Sequence, residues 1–122
     1  MDKQHTLIFE EDSALAQLYA SVLEHSGLVV HRANTLSDMQ MLLGTFPISL
    51  IIANMPHDRN QMSDLLSLNA LLKTKGTHLV IVSGDARNHL LCHSLEIPFY
   101  EKPLSNRTLI ELAESHPILN HA

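Results

Sequence analysis

The sequence has one cysteine and no cluster of basic residues, and each shortage excludes a class of structure or function. A single cysteine, Cys92, excludes a disulfide within the chain and agrees with a reducing compartment. Eight lysine and arginine residues are scattered among thirteen aspartate and glutamate residues, which gives a formal net charge of −5. Because a nucleic-acid backbone requires clustered positive charge, we expect no direct binding of nucleic acid.

Long apolar runs are also missing. The longest, at residues 50–53 and 79–82, are far too short to cross a bilayer, so we expect no membrane association. The first residues, MDKQH, lack the apolar stretch of a secretion signal, and a cytoplasmic location is the expectation.

The residues that are present favour one globular domain. Hydrophobic residues make up 45% of the chain and charged residues 17%, a composition unlike that of disordered proteins. No repeat or low-complexity tract divides the 122 residues, so we expect a single domain over 1–122 without an internal linker.

Five short apolar runs predict β-strands. They are HTLIF (5–9), LVVHRA (28–33), ISLIIAN (48–54), HLVIVS (78–83) and IPFYE (97–101).

Amphipathic segments between these runs predict helices. In the first, apolar residues recur at helical spacing from Leu15 to Leu23, and Gly27 supplies a left-handed stop. The predicted starts are Asp12 or Ser13 for the first helix, Thr35 for the second, about Met62 for the third (to Thr74), Asp85 for a short fourth and Ser105 for the last (to about Ser115).

Strands that alternate with helices predict an α/β fold with a parallel sheet covered on both faces. The runs at 48–54 and 78–83 are apolar without alternation, which is typical of central strands buried on both sides. Ligands and chemistry in such sheets lie at the carboxyl ends of the strands. The residues at those ends are therefore the candidates for a functional site.

The strand ends resemble those of the receiver domains of two-component response regulators, the CheY-like family, over about residues 5–115. In that family an acidic pair follows strand one, a phosphate-accepting aspartate ends strand three, a Ser or Thr ends strand four, and Lys-Pro follows strand five. The chain has, in the same order, FEED with Glu10 and Glu11, IIAN with Asn54, VIVSG with Ser83, and YEKP with Lys102 and Pro103. The resemblance implies a flavodoxin-like doubly wound (βα)5 fold with strand order 2-1-3-4-5.

One position departs from the family where its chemistry occurs, because Asn54 replaces the acceptor aspartate. Receivers form an acyl phosphate by attack of a carboxylate oxygen, and an uncharged amide is a far poorer nucleophile. The resemblance therefore implies a degenerate site that is not phosphorylated, with no catalytic residue and no enzymatic activity. Ser83 and Phe99 match the residues that move when receivers are activated.

The magnesium site of the family is altered as well. Its expected ligands here are Glu10, Glu11 and Asn54, which carry one negative charge fewer than the family set. The loop after strand three also differs, with Pro56 two residues after Asn54 and Met62 where a glycine is usual. We expect weak magnesium binding or none, and no other cofactor.

In place of a metal, we expect a cluster of polar side chains. Lys102 is predicted to pair with Glu10 or Glu11, and Asn54 to donate a hydrogen bond into the same cluster. Such a cluster gives a fold that does not depend on a metal ion.

The leading functional hypothesis is a pseudo-receiver that acts as a regulatory protein-interaction or dimerisation module in bacterial signalling. By analogy with the family, its partner or second copy contacts helix four, strand five and helix five, about residues 86–115. The chain is also a candidate for the N-terminal part of a transcriptional regulator. Two alternatives stay open: a conventional phosphorylated switch that uses a nearby acid such as Asp58, and a small-ligand module at the strand ends.

Three other features carry less weight. His89 and His93 have the i, i+4 spacing of zinc ligands on a helix, without an evident third ligand. The dipeptide His57–Asp58 occurs in metal hydrolases, but no further ligand motif accompanies it. Cys92, beside two leucines, is expected to be a buried apolar residue.

Overall fold

The computed structural model describes residues 4–56 and 58–115 and shows five parallel strands in the order β2-β1-β3-β4-β5. This confirms the predicted doubly wound fold and its strand order. The strands are β1 His5–Phe9, β2 Val29–Ala33, β3 Ile48–Asn54, β4 His78–Ser83 and β5 Phe99–Glu101. The helices are α1 Ser13–His25, α2 Leu36–Thr45, α3 Arg59–Thr74, α4 Arg87–Ser94 and α5 Asn106–Glu114.

The sheet is buried on both faces because alternate residues of its central strands join two separate cores. Ile51 and Ala53 of β3 lie in a cluster with residues of α2, α3 and α4. Leu50 and Ile52 of the same strand lie in a second cluster with residues of α1 and α5. Unbroken apolar runs such as β3 are stable only in this arrangement, since every side chain then finds an apolar neighbour. In the described ranges, no helix is long and apolar enough to span a membrane.

The predicted starts of α1, α2 and α5 are confirmed, and each has a capping side chain. The side chain of Asp12 accepts a hydrogen bond from the backbone N–H of Leu15, at 3.1 Å. Thr35 and Ser105 accept in the same way from the third residue after them, at 3.1 and 3.0 Å. Gly27 adopts a φ of +93° just after α1, the left-handed conformation that ends the helix.

Three element boundaries differ from the prediction. The smallest difference is in β2, which begins at Val29 and not at 28. Helix α3 begins at Arg59 and not at Met62, because Asp58 precedes it: the carboxylate of Asp58 accepts the N–H of Asn60, at 2.8 Å. Strand β5 begins at Phe99 and not at 97. Pro98 has no N–H to donate to the sheet and contributes only its carbonyl, which accepts from Ile81.

A pair of histidines joins the first two strands. Nδ1 of His5 and Nε2 of His31 are 3.0 Å apart and share one hydrogen bond, and the planes of the two rings are parallel to within 12°. The ring of Phe46 packs on His31, with centroids 4.2 Å apart. One proton fits between the two nitrogens, so protonation of both rings breaks this bond. Burial, and then the neighbouring His5, lower the pKa of His31.

Because of this histidine pair, we expect the folded chain to lose stability in mild acid. A histidine in the unfolded chain titrates near pH 6.5. His31 titrates lower in the folded chain, so below about pH 6.5 the unfolded chain binds more protons and the free energy of unfolding falls. We expect His31→Gln to reduce the fall in free energy of unfolding between about pH 7.5 and about pH 5.5, measured by urea titration. An equal fall in the variant and in the unchanged chain would contradict the role of His31.

Candidate functional site

The carboxyl ends of the strands meet in one cleft, as the parallel sheet requires. Glu10 directly follows β1, Asn54 ends β3, Ser83 ends β4 and Lys102 directly follows β5. All four line a cleft of about 820 Å³ at this edge of the sheet. The structure therefore brings together residues that are up to 92 positions apart in the chain.

Lys102 bridges the two sides of the cleft. Its ammonium Nζ donates to Oε1 of Glu10 at 2.7 Å and to Oδ1 of Asn54 at 2.8 Å. Its backbone N–H donates to the carbonyl of Ser83 at 2.8 Å, which holds the start of the segment after β5 against β4. The peptide bond from Lys102 to Pro103 is cis.

These contacts confirm the predicted pairing of Lys102 and correct the role of Asn54. The pairing partner is Glu10, whereas Asn54 was expected to donate a hydrogen bond into the cluster. An ammonium group has donors and no acceptor, so the amide turns its carbonyl oxygen towards Lys102 and accepts.

Of the predicted acidic pair, Glu10 is buried and Glu11 is exposed. The side chain of Glu10 is 4% exposed, and its second oxygen accepts the backbone N–H of Asp12 at 3.1 Å. Glu11, one residue later, is exposed at the rim of the cleft. Glu10 is also close enough to Tyr19 to contribute to its raised pKa, although burial of Tyr19 is the larger cause.

Ser83 connects the cleft to α4. Its buried hydroxyl oxygen accepts from the backbone N–H of Asp85 and from Nδ2 of Asn88, both at 3.0 Å. Asp85 in turn binds Arg87, whose side-chain and backbone hydrogen bonds lower the pKa of the Asp85 carboxyl to about 2. Ser83 thus contacts the start of α4.

Phe99 is half-buried on β5 and stacks on His89 of α4, with ring centroids 5.2 Å apart and ring planes within 14°. This contact gives His89 a packing role that its i, i+4 spacing with His93 did not indicate. Among the described residues, no group of three or more histidine, cysteine, aspartate or glutamate side chains is placed to hold a metal ion. The predicted burial of Cys92 is confirmed, and burial raises the pKa of its thiol.

Asp58, the alternative phosphate acceptor, is exposed at the start of α3. The described residues that line the cleft include Pro56 and Met62 from the same segment but not Asp58. His57, the other half of the His57–Asp58 dipeptide, lies outside the described residues.

Comparison with known proteins places the fold among receiver domains. Neither a protein-family model nor a curated protein sequence matches the chain. The signal receiver domain of a LuxO repressor protein from Vibrio parahaemolyticus superposes with a TM-score of 0.81 at 19% identity, covering 94% of this chain and 90% of that one. Vibrio cholerae chemotaxis protein CheY4 has a TM-score of 0.80 at 11% identity, with coverages of 95% and 100%. A signal receiver domain from Bermanella marisrubri has a TM-score of 0.78 at 21% identity, with coverages of 98% and 100%.

These structural neighbours are CheY-like response-regulator receiver domains, and the chain has their fold over nearly its whole length. At such low identities the likeness concerns the fold, and function has to be argued from the site.

Proposed function

We propose that this chain is a receiver-like domain of two-component signalling that works without phosphorylation, as a regulatory protein-interaction module. The observation that carries the proposal is the bridge from Lys102 to both Glu10 and Asn54. A neutral amide occupies the strand end where receivers have their reactive carboxylate, and the one lysine of the cluster is bound to it.

The chemistry of the cluster supports this assignment. Formation of an acyl phosphate needs a carboxylate nucleophile, which Asn54 does not offer. Asp58 is a poor substitute, because an acceptor has to lie beside the lysine that neutralises the incoming phosphoryl group, and Asp58 is outside the cleft. The domain is accordingly proposed to be a binding protein and not an enzyme.

The cluster also fits magnesium poorly. Of the three expected ligands, Asn54 turns its oxygen to Lys102, and Glu10 uses one oxygen for Lys102 and the other for the N–H of Asp12. Glu11 is exposed at the rim of the cleft. Magnesium prefers several oxygen ligands in near-octahedral geometry, whereas entry here requires displacement of an ammonium group. We propose that the domain functions without a metal ion.

The surface formed by α4, β5 and α5 is the proposed contact for a partner protein or a second copy of the chain. Its α4 portion is unusually apolar, with Leu90 78% exposed and Leu95 42% exposed. The contacts of Ser83 with Asn88 and of His89 with Phe99 hold this helix against the site, in an arrangement that no phosphoryl group is needed to maintain. We propose that the domain is cytoplasmic and that it regulates through this surface, with no nucleic acid or membrane bound directly.

Incubation with acetyl phosphate and Mg²⁺, followed by intact-mass spectrometry, tests the proposal. We expect the mass of the chain to stay unchanged, because Asn54 offers no carboxylate and Glu10, the carboxylate that Lys102 contacts, is already paired. The Asp58→Asn variant is the matched control. The appearance of one phosphoryl group on the unchanged chain and its loss in that variant would support the conventional switch instead.

A further inference from the structure

Away from the cleft, two histidines and a phenylalanine form a cluster of rings. His5 begins β1, His31 lies in β2 and Phe46 directly follows α2. Their ring centroids lie 4.2 to 6.1 Å from one another. The two histidines are half-buried, and Phe46 is 37% exposed. The cluster therefore joins two strands to the end of a helix.

The hydrogen bond between the two histidines holds one bridging proton. Nδ1 of His5 and Nε2 of His31 are 3.0 Å apart, whereas the ring centroids are 5.2 Å apart, so the two nitrogens face each other. A neutral imidazole has one donor and one acceptor nitrogen, and a protonated imidazole has two donors. If one ring is protonated, it donates to the neutral ring in a stronger, charge-assisted bond. If both are protonated, two N–H groups and two positive charges face each other, and the bond is lost.

The charged groups near the pair do not offset a second positive charge. In β1, β2 and β3 the one charged residue besides the histidines is Arg32, which binds a glutamine of α1 on the other face of the sheet. The one charged residue of α2 is Asp38, in its first turn, about 12 Å along the helix from Phe46. Lys75, directly after α3, shares a groove with Phe46 and is itself positive. His78 of β4 lies on the face of the second core, away from the pair.

Phe46 connects the histidine pair to the end of α2. Its ring lies 4.2 Å from that of His31, measured between centroids. Its backbone N–H donates to the carbonyl of Leu42 and ends the helix, and its own carbonyl accepts from Ile48 at the start of β3, both at 2.9 Å. Its side chain also lines a groove of about 300 Å³ between α2 and α3. Displacement of His31 therefore removes a neighbour from the residue that links α2 to β3.

We propose that the pair of His5 and His31 is a pH-sensitive switch, in which one added proton strengthens the link between β1 and β2 and a second breaks it and frees Phe46. The opening is local, at the end of α2, and the rest of the fold stays intact. The inference goes beyond the proposed function, because the pair lies outside the cleft and outside the surface of α4, β5 and α5. The lowered pKa of His31 agrees with a second proton that binds less readily than the first.

An NMR titration of the full chain tests the two steps. Long-range proton–nitrogen spectra report the protonation of each histidine ring, and histidine-to-glutamine variants assign the signals. We expect the pair to titrate in two steps more than about 1 pH unit apart. We expect His5→Gln to raise the midpoint of His31 by about half a pH unit or more, because the neutral amide removes a like charge. His25→Gln, at the exposed end of α1, is the matched control and is expected to leave that midpoint unchanged.

Hydrogen exchange, expressed as protection factors of backbone N–H groups, tests the local opening. We expect the protection of Phe46 to fall about tenfold or more across the second step. Met39 in the first turn of α2 and Ile51 in central strand β3 are controls that report the rest of the helix and overall unfolding. In His5→Gln, Phe46 is expected to keep its protection, because an amide carbonyl accepts from His31 in either protonation state. Circular dichroism checks that the variant is folded, and His5→Asn replaces it if it is not.

Independent titration of the two histidines, or the absence of a second step above about pH 4.5, would overturn the switch. A fall in the protection of Phe46 no larger than that of Ile51 would overturn it as well, because acid would then lower only the overall stability. An equal fall in the unchanged chain and in His5→Gln would have the same consequence. The proposed function is tested separately by acetyl phosphate, and neither result depends on the other.

Discussion

Asn54→Asp is expected to gain a phosphoryl group from acetyl phosphate in the presence of Mg²⁺, whereas the unchanged chain gains none. The substitution replaces only the amide nitrogen with an oxygen. The new carboxylate takes the place of the amide, whose carbonyl oxygen is 2.8 Å from Lys102 Nζ. A carboxylate at this position supplies both the missing nucleophile and a second anionic oxygen donor for magnesium beside Glu10. Intact-mass spectrometry measures the adduct.

The same variant is expected to melt at a higher temperature when Mg²⁺ is added, because an ion that binds only the folded state stabilises it. The unchanged chain is expected to show no such gain. Asn54→Ala, which removes the amide without adding a charge, is the control for both measurements. If Asn54→Asp takes up neither phosphoryl nor Mg²⁺, the loop that carries Pro56 and Met62 disables the site independently of residue 54.

Lys102→Met is expected to lower the free energy of unfolding by about 2–3 kcal/mol. The carboxylate of Glu10 is 4% exposed, and Lys102 is its cationic partner at 2.7 Å. Loss of the lysine leaves a buried charge without its counterion, which costs more than the loss of a surface ion pair. We place the effect below that of a fully buried pair because the side chain of Lys102 is 22% exposed. Urea unfolding measures the change.

Two further variants separate this effect from the loss of an ordinary lysine. Lys73→Met, on the exposed surface of α3, is expected to change stability by less than about 0.5 kcal/mol. The double variant Glu10→Gln with Lys102→Met is expected to recover most of the lost stability, since a neutral amide is less costly to bury than a carboxylate. A double variant as unstable as Lys102→Met would mean that packing of the lysine side chain matters more than the ion pair.

In the proposed function, the contacts of Ser83 and Phe99 hold α4 in one arrangement without a phosphoryl group. Ser83 is bonded to the start of α4 through Asn88, and the next residue of the helix, His89, stacks on Phe99. These adjacent contacts join the strand-end cluster, α4 and β5. In the proposed function, a partner protein and not a phosphoryl group acts on this assembly.

Local sequence patterns were sufficient to predict structural features that depend on one short segment of the chain. The starts of α1, α2 and α5 could be predicted because a capping side chain bonds to a backbone N–H within its own turn, as Asp12, Thr35 and Ser105 do. The start of α3 lies three residues before the predicted one because Asp58, a candidate for its chemistry, is also a cap. Pro98 could have indicated the shorter β5, since proline cannot donate within a sheet.

The sequence by itself determined an α/β fold with a parallel sheet and the residues at each strand end, because alternating strands and helices leave few topologies and parallel strands share one edge. The doubly wound strand order was implied by the resemblance to receiver domains. Tertiary structure alone decided that Glu10 turns inward while Glu11 stays outside, and that Asn54 accepts from Lys102. It also decided the pairing of His5 with His31, 26 residues apart. Such contacts join segments distant along the chain, so their geometry depends on how the helices and strands pack and not on any local pattern.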